Sequence, residues 1–110
     1  MTPMTAHEIQ NELESLPGWR VERGWLARDL GFSDFQSSWE FMDRIARLAE
    51  EQDHHPNWYN VYNRVQIRLS SHDASGITAR DIRLAAAINE ALAKQTHRDL
   101  DPSEILPLPL

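Results

Sequence analysis

The chain has 110 residues, of which 41% are hydrophobic and 25% charged, so it fits a single globular domain with one buried core. It contains no cysteine, which excludes disulfide bonds, thiolate catalysis and cysteine-based zinc sites. A formal net charge of -6 argues against direct binding to nucleic acid, which clustered Lys and Arg drive. No stretch approaches the roughly 20 apolar residues of a membrane span, and the N-terminus lacks a signal-peptide pattern. We therefore expect a cytoplasmic protein with a protein or small-molecule partner.

The first third of the chain predicts one helix and one hairpin. Thr5 and Glu8 have the spacing of a capping box, which predicts a short helix that ends near Pro17. Polar and apolar residues then alternate on both sides of Gly24. This pattern predicts a β-hairpin between residues 19 and 32.

The middle of the chain predicts its longest helix. Ser33 with Gln36 forms a second capping box, and Pro56 should stop the helix because its ring disfavours helical geometry at the preceding residue. Apolar residues repeat at helical spacing through this stretch: Phe35, Trp39, Met42, Ala46 and Ala49, widened by Phe41, Ile45 and Leu48. So wide an apolar face can cover a sheet and still leave a flank for a partner subunit.

The last part of the chain predicts a second hairpin, a third helix and a tail. Residues 58–61 and 65–69 have the β-branched and aromatic content of strands, and Thr78 with Asp81 starts a helix. Closely spaced prolines near the end predict a loose tail over residues 95–110, after a domain of residues 1–94. The element order αββαββα predicts an α+β fold: a two-layer sandwich of a four-stranded antiparallel sheet with three helices on one face.

A polar cluster, Asp53-His54-His55-Pro56, lies where the long helix should end. The negative end of the helix macrodipole favours a positive charge on an imidazole there. Glu50 and Asp53 add carboxylates, and His72 follows the last predicted strand, so acid/base chemistry is indicated. The alternatives are a solvent-exposed pair of histidines at a helix end, or a metal site. Adjacent side chains such as His54 and His55 diverge, which disfavours joint binding of one ion.

A spaced set of residues between positions 19 and 92 resembles the pterin-4a-carbinolamine dehydratase family. The set consists of Glu50, Asp53-His54-His55-Pro56, Trp58, Asn60-Val61-Tyr62-Asn63, Leu69-Ser70-Ser71-His72, Gly76-Ile77-Thr78 and Asp81. An isolated His-His-Pro would be weak evidence, whereas the whole set with its spacings is specific. The resemblance implies dehydration of 4a-hydroxytetrahydrobiopterin to quinonoid dihydropterin, as part of tetrahydrobiopterin recycling.

The resemblance also implies roles for individual residues. His54 and His72 would be the acid/base residues, with His55 contacting or positioning the pterin. The supporting set that would orient imidazoles or bind the pterin comprises Glu50, Asp53, Pro56, Trp58 as an apolar wall, and Asp81. Family members need no metal or organic cofactor, and they commonly form homodimers or homotetramers, so no metal site is expected.

Two alternatives stay open at this point. Asp81 has the position of a helix cap, and that structural role is compatible with a role in the site. The second alternative is that the whole chain is a non-catalytic dimerisation or assembly cofactor of the same fold, since some relatives bind a protein partner. Retention of the three histidines favours the enzyme.

Overall fold

The computed structural model describes residues 2–110. Its helices and strands are α1 (Ala6–Leu13), β1 (Arg20–Glu22), β2 (Trp25–Gly31), α2 (Phe35–Gln52), β3 (Asn57–Val61), β4 (Arg64–Leu69), α3 (Ala79–Leu92) and β5 (Arg98–Asp99). The order of the first seven elements is the predicted αββαββα. Among residues 2–110, no helix is both long and apolar enough to cross a membrane.

The strands form one antiparallel sheet, with β4 between β3 and β2. The other edge of β2 pairs with β1 near its start and with β5 near its end. Both residues of the β1–β2 turn, Arg23 and Gly24, have positive φ angles of 50° and 83°. Such a turn matches the right-handed twist of a hairpin, and glycine adopts its second position without strain.

All three helices pack on the same face of the sheet, as predicted. Alternate residues of β2 and β4, such as Leu30 and Ile67, form one buried cluster with Ile9 of α1, Phe41 of α2 and Ile88 of α3. Side chains on a strand alternate between its two faces, so this cluster occupies one face only. The predicted α+β sandwich is confirmed.

Helix α2 differs from the prediction in its first residue and in its buried face. Its N-cap is Asp34 rather than Ser33, because the Asp34 carboxylate accepts a hydrogen bond of 2.8 Å from the backbone N–H of Ser37. The predicted stripe is only partly buried: Phe35 and Trp39 are 47% and 53% exposed. The buried apolar face of α2 consists of Ala49 from the predicted stripe and of Phe41 and Ile45, which were predicted to widen it.

The opposite face of the sheet carries a buried ion pair. Asp29 of β2 and Arg68 of β4 are each 1% exposed in their side chains and lie 2.7 Å apart. Arg20 and Glu22 of β1 extend this pair, with contacts of 2.7 Å to Asp29 and 3.2 Å to Arg68. Burying such charges is costly unless each one is paired, and this network pairs them.

The C-terminal segment contributes to this second face, so the prediction of a loose tail is wrong. Its strand β5 pairs with β2, and Leu100 is buried. Further along, the backbone of Leu106 exchanges two hydrogen bonds with the Gln66 amide, of 2.8 and 2.9 Å. The Glu104 carboxylate contacts Arg98 at 2.8 Å and Arg64 at 3.3 Å. The tail therefore adds a fifth strand to the predicted four.

Candidate active site

The polar cluster begins where α2 ends. Asp53 caps the helix in the left-handed region, with φ 50° and ψ 43°, a conformation that Asp tolerates better than most residues. The backbone N–H of His54 donates to the Ala49 carbonyl at 3.0 Å, and that of Asp53 donates to Glu50 at 3.2 Å. This pair of bonds is a Schellman motif, which terminates the helix and turns the chain. His54 thereby leaves the helix axis and points towards the start of α3.

His54 is held by a buried carboxylate of α3. Its Nε2 lies 2.6 Å from Asp81 Oδ1, and the two side chains are 9% and 0% exposed. Asp81 Oδ2 accepts hydrogen bonds of 2.9 Å from the backbone N–H of Thr78 and from Ser71 Oγ. An ionised carboxylate can only accept, so the proton of this hydrogen bond lies on His54 Nε2, and in the neutral ring the lone pair lies on Nδ1. Asp81 thus caps α3 and fixes the tautomer of His54 at the same time.

His55 has a more exposed environment than its neighbour. Its Nε2 lies 2.5 Å from Glu50 Oε2, and the two side chains are 57% and 75% exposed. The pair spans the last turn of α2 and the segment after it. As expected from their adjacency, His54 and His55 diverge: one points into the protein and the other lies at the surface.

His72 approaches from the end of β4. It is the first residue of a 3-10 turn, His72–Ala74, which a bridge between Ser71 and Gly76 closes. The imidazole is exposed and packs edge-on against the Trp25 ring, with centroids 5.6 Å apart. The aromatic contact orients a side chain that would otherwise rotate freely in solvent.

These segments line one open cleft of about 320 Å³. Its walls are Asp53, His54, His55, Ser70, Ser71, His72, Asp73 and Arg80. All three histidines singled out from the sequence therefore lie on the same cleft, although His54 and His72 are 18 residues apart in the numbering of the chain. Within residues 2–110, no group of three His, Asp or Glu side chains is arranged to hold a metal ion.

An ion pair forms the rim of the cleft. The Arg80 guanidinium donates to the Asp73 carboxylate, and the two side chains are 32% and 65% exposed. This hydrogen bond lowers the pKa of Asp73 and raises that of Arg80, so both groups stay charged over a wide pH range. The cleft thus presents a fixed donor and a fixed acceptor beside the imidazoles.

Trp58 and Pro56 line a neighbouring groove rather than the cleft itself. Trp58 is partly buried against the core, and the groove, of about 510 Å³, also contacts Leu108 and Leu110 of the tail. Asp81, by contrast, is fully buried and does not reach the cleft wall. Of the predicted supporting residues, only Asp53 lines the cleft directly, while Glu50 reaches it through its contact with His55.

Four residues that line the cleft were not singled out as site residues from the sequence: Ser70, Ser71, Asp73 and Arg80. Ser70 and Ser71 were named only as part of the segment that precedes His72, and neither Asp73 nor Arg80 belonged to a sequence pattern described above. The capping-box spacing of Thr78 and Asp81 located the start of α3. It could not show that β4 places a hydroxyl against that start.

The sequence is similar to those of known proteins. A family model described as pterin 4 alpha carbinolamine dehydratase matches residues 2–91. A protein of Rhodopseudomonas palustris is 49% identical over 94 residues, which cover 84% of this chain and 92% of the relative. One of Burkholderia orbicola is 49% identical over 92 residues, which cover 82% and 90%. Both are named, as provisional assignments, pterin-4-alpha-carbinolamine dehydratases.

A solved structure is also similar over most of the chain. It is a crystal structure of a transcriptional coactivator/pterin dehydratase from Brucella melitensis, with a TM-score of 0.79 and 36% sequence identity. The match covers 82% of this chain and 98% of the other. The fold and the cleft define an α+β protein with a histidine–carboxylate site. The chain belongs to the pterin-4a-carbinolamine dehydratase family, whose named activity is that of a hydro-lyase.

Proposed function

We propose that this chain dehydrates 4a-hydroxytetrahydrobiopterin to quinonoid dihydropterin and water. The reaction breaks the bond between C4a and the hydroxyl oxygen, with one proton delivered to that oxygen and one removed from a ring nitrogen. Groups that titrate near neutrality perform both transfers well. The observation that carries the proposal is the placement of His54, backed by a buried carboxylate, on the same cleft as His55 and His72.

In this mechanism His54 is the general base. Its Nε2–H donates to Asp81, which leaves Nδ1 as the nitrogen that can accept a proton from the substrate. The positive charge that then develops on the ring is stabilised by the buried Asp81 carboxylate. In the catalytic triads of serine proteases, a buried carboxylate stabilises the developing imidazolium in the same way.

His72 is the general acid, because it is exposed on the cleft and, within residues 2–110, no carboxylate fixes its tautomer. It donates the proton that converts the 4a-hydroxyl into water. His55, held by Glu50, positions the pterin at the outer wall of the cleft. No metal or organic cofactor takes part in the proposed steps, and the product would re-enter tetrahydrobiopterin recycling in the cytoplasm.

The decisive experiment is stopped-flow dehydration of a 4a-hydroxytetrahydropterin with and without the protein. We expect the protein to accelerate loss of the hydroxyl group without added metal, and a chelator to leave the rate unchanged. The proposal would be overturned if the reaction in the presence of the protein were no faster than the spontaneous reaction. If a chelator abolished the activity and added metal restored it, we would infer metal catalysis instead of acid/base catalysis by histidine.

A second function, as a dimerisation or assembly cofactor for a protein partner, is favoured by one surface of α2. Phe35 and Trp39 are exposed there and stack with ring centroids 6.5 Å apart. The Brucella protein is also titled a transcriptional coactivator. We propose that this pair joins copies of this chain into a homodimer or homotetramer, and that this assembly is the form that would bind a protein partner. Light scattering should then show a smaller assembly for Trp39→Ser than for the unmodified chain, and an unchanged mass would reject this role of the surface.

A further inference from the structure

We propose that Ser71 is a positioning residue that holds His54 and His72 in one catalytic arrangement. This inference rests on the proposed function and concerns a residue to which the family resemblance assigned no role. Ser71 is 1% exposed and lies directly before His72. Its side chain contacts the carboxylate that holds the other histidine, so a single residue touches both halves of the site.

The backbone of Ser71 fixes the segment that carries His72. Its N–H donates to the Gly76 carbonyl at 2.9 Å, and its own carbonyl accepts from Gly76 at 3.3 Å and from Ala74 at 3.1 Å. These bonds close the 3-10 turn from one end to the other. The position of His72 relative to β4 is therefore set by Ser71.

The hydroxyl of Ser71 fixes the carboxylate that carries His54. Thr78 Oγ1 accepts from the backbone N–H of Arg80 at 3.2 Å, which leaves its own proton to donate to Ser71 Oγ at 2.8 Å. Ser71 Oγ then directs its proton to Asp81 Oδ2 at 2.9 Å. The chain of donors runs in one direction, and it ends on the carboxylate that accepts from His54.

Loss of the Ser71 hydroxyl would leave Asp81 Oδ2 with the Thr78 backbone bond alone. A buried carboxylate that lacks one of its donors reorients to recover a hydrogen bond, because an unmade bond to a charged group is costly in the interior. Any rotation moves Oδ1 away from His54 Nε2 and releases the tautomer. The expected consequence is slower chemistry with little change in substrate binding.

The test compares Ser71→Ala with Ser71→Thr and with a matched control, Ser38→Ala. Ser38 is 0% exposed and donates to backbone carbonyls, including Tyr62 at 2.8 Å, so its loss removes a buried hydroxyl of the same kind. It lies 14 residues before Gln52, the last residue of α2, roughly 21 Å along the helix axis. We expect Ser71→Ala to lower kcat about 10-fold at unchanged KM. Ser71→Thr keeps a hydroxyl group and should have the kcat of the unmodified chain. Ser38→Ala should also leave kcat unchanged.

NMR spectra of isotope-labelled histidine provide a readout that does not depend on turnover. In the unmodified chain His54 should carry its proton on Nε2, and Ser71→Ala should give a mixture of tautomers while Ser38→Ala does not. Two results would overturn the role of Ser71: an unchanged His54 tautomer in Ser71→Ala, or an effect on KM alone. If the unmodified chain does not dehydrate the pterin, the proposed function fails, whereas the tautomer measurement still decides the positioning role.

Discussion

The replacement Asp81→Asn isolates the electrostatic role of the buried carboxylate at almost constant shape. The amide has one acceptor oxygen where the carboxylate has two, and three donors surround it: Ser71 Oγ, the Thr78 backbone N–H and His54 Nε2. If the amide oxygen keeps Ser71 and Thr78, its NH₂ group faces His54 Nε2. That nitrogen must then accept, and the ring proton moves to Nδ1.

The opposite orientation of the amide is the less stable one. It would place the NH₂ group against the Thr78 N–H and leave a buried backbone donor without a partner, which costs about 1–3 kcal/mol. A change in the His54 tautomer costs less, because the new Nδ1–H group can donate a hydrogen bond to solvent in the cleft. Asp81→Asn should therefore fold with near-normal stability but with the wrong nitrogen of His54 facing the substrate.

The expected loss is that of a general base, about 10²–10⁴-fold in kcat, or about 2.7–5.4 kcal/mol of transition-state stabilisation. Stopped-flow dehydration measures kcat, and circular dichroism measures the thermal midpoint of the same preparation. The matched control is Asp43→Asn, which removes the charge of an exposed partner of Arg47 on α2 and should leave kcat unchanged. Turnover by Asp81→Asn within a few-fold of the unmodified chain would refute the tautomer argument.

Three further predictions concern single side chains. His54→Ala should lower the dehydration rate about 10²-fold or more, and the exposed His7→Ala should not; a variant that turns over normally would remove His54 from the mechanism. Trp58→Ala should weaken pterin binding more than it lowers kcat, because we expect the pterin to extend from the cleft into the neighbouring groove that Trp58 lines; an unchanged affinity by titration would contradict this extension. Glu104→Gln should lower the thermal midpoint at pH 7. The pKa of Glu104 is lowered from 4.5 to about 2, chiefly by its hydrogen bond with the Arg98 side chain, and the substitution removes this charged partner. A carboxyl group with a lowered pKa stabilises the folded state at pH values above the pKa that the group has in the unfolded chain. The difference in thermal midpoint between Glu104→Gln and the unmodified chain should therefore shrink as the pH falls from 4.5 towards about 2. A difference that does not vary with pH would reject this assignment.

The features that the sequence predicted well depend on contacts between near neighbours in the chain. The Thr5 and Thr78 capping boxes are both formed, because each needs only a hydroxyl and a carboxylate three residues apart. The start of α2 was displaced by one residue because Ser33 and Asp34 are both strong N-cap residues. In the structure Asp34 makes the side-chain bond.

The features that the sequence missed depend on contacts between distant segments. The prolines of the tail indicated that it could not join a sheet as an ordinary strand, and beyond β5 it does not. It binds instead through the Gln66 amide and the Glu104 carboxylate, which no local pattern encodes. In the site, spacing located His54, His72 and Asp81. The direction of the hydroxyl of Ser71 became known only when β4 and α3 were placed together.

The pairing of β2 on both of its edges has a consequence for how the molecule opens. Its amide hydrogens face β4 on one side, and β1 and β5 on the other, whereas β3 pairs along one edge with β4. Fraying of β3 can expose its own amides while the rest of the sheet persists. Deuterium would enter β2 only when the whole domain opens, so the protection of Leu26 and Leu30 would measure the global free energy of unfolding.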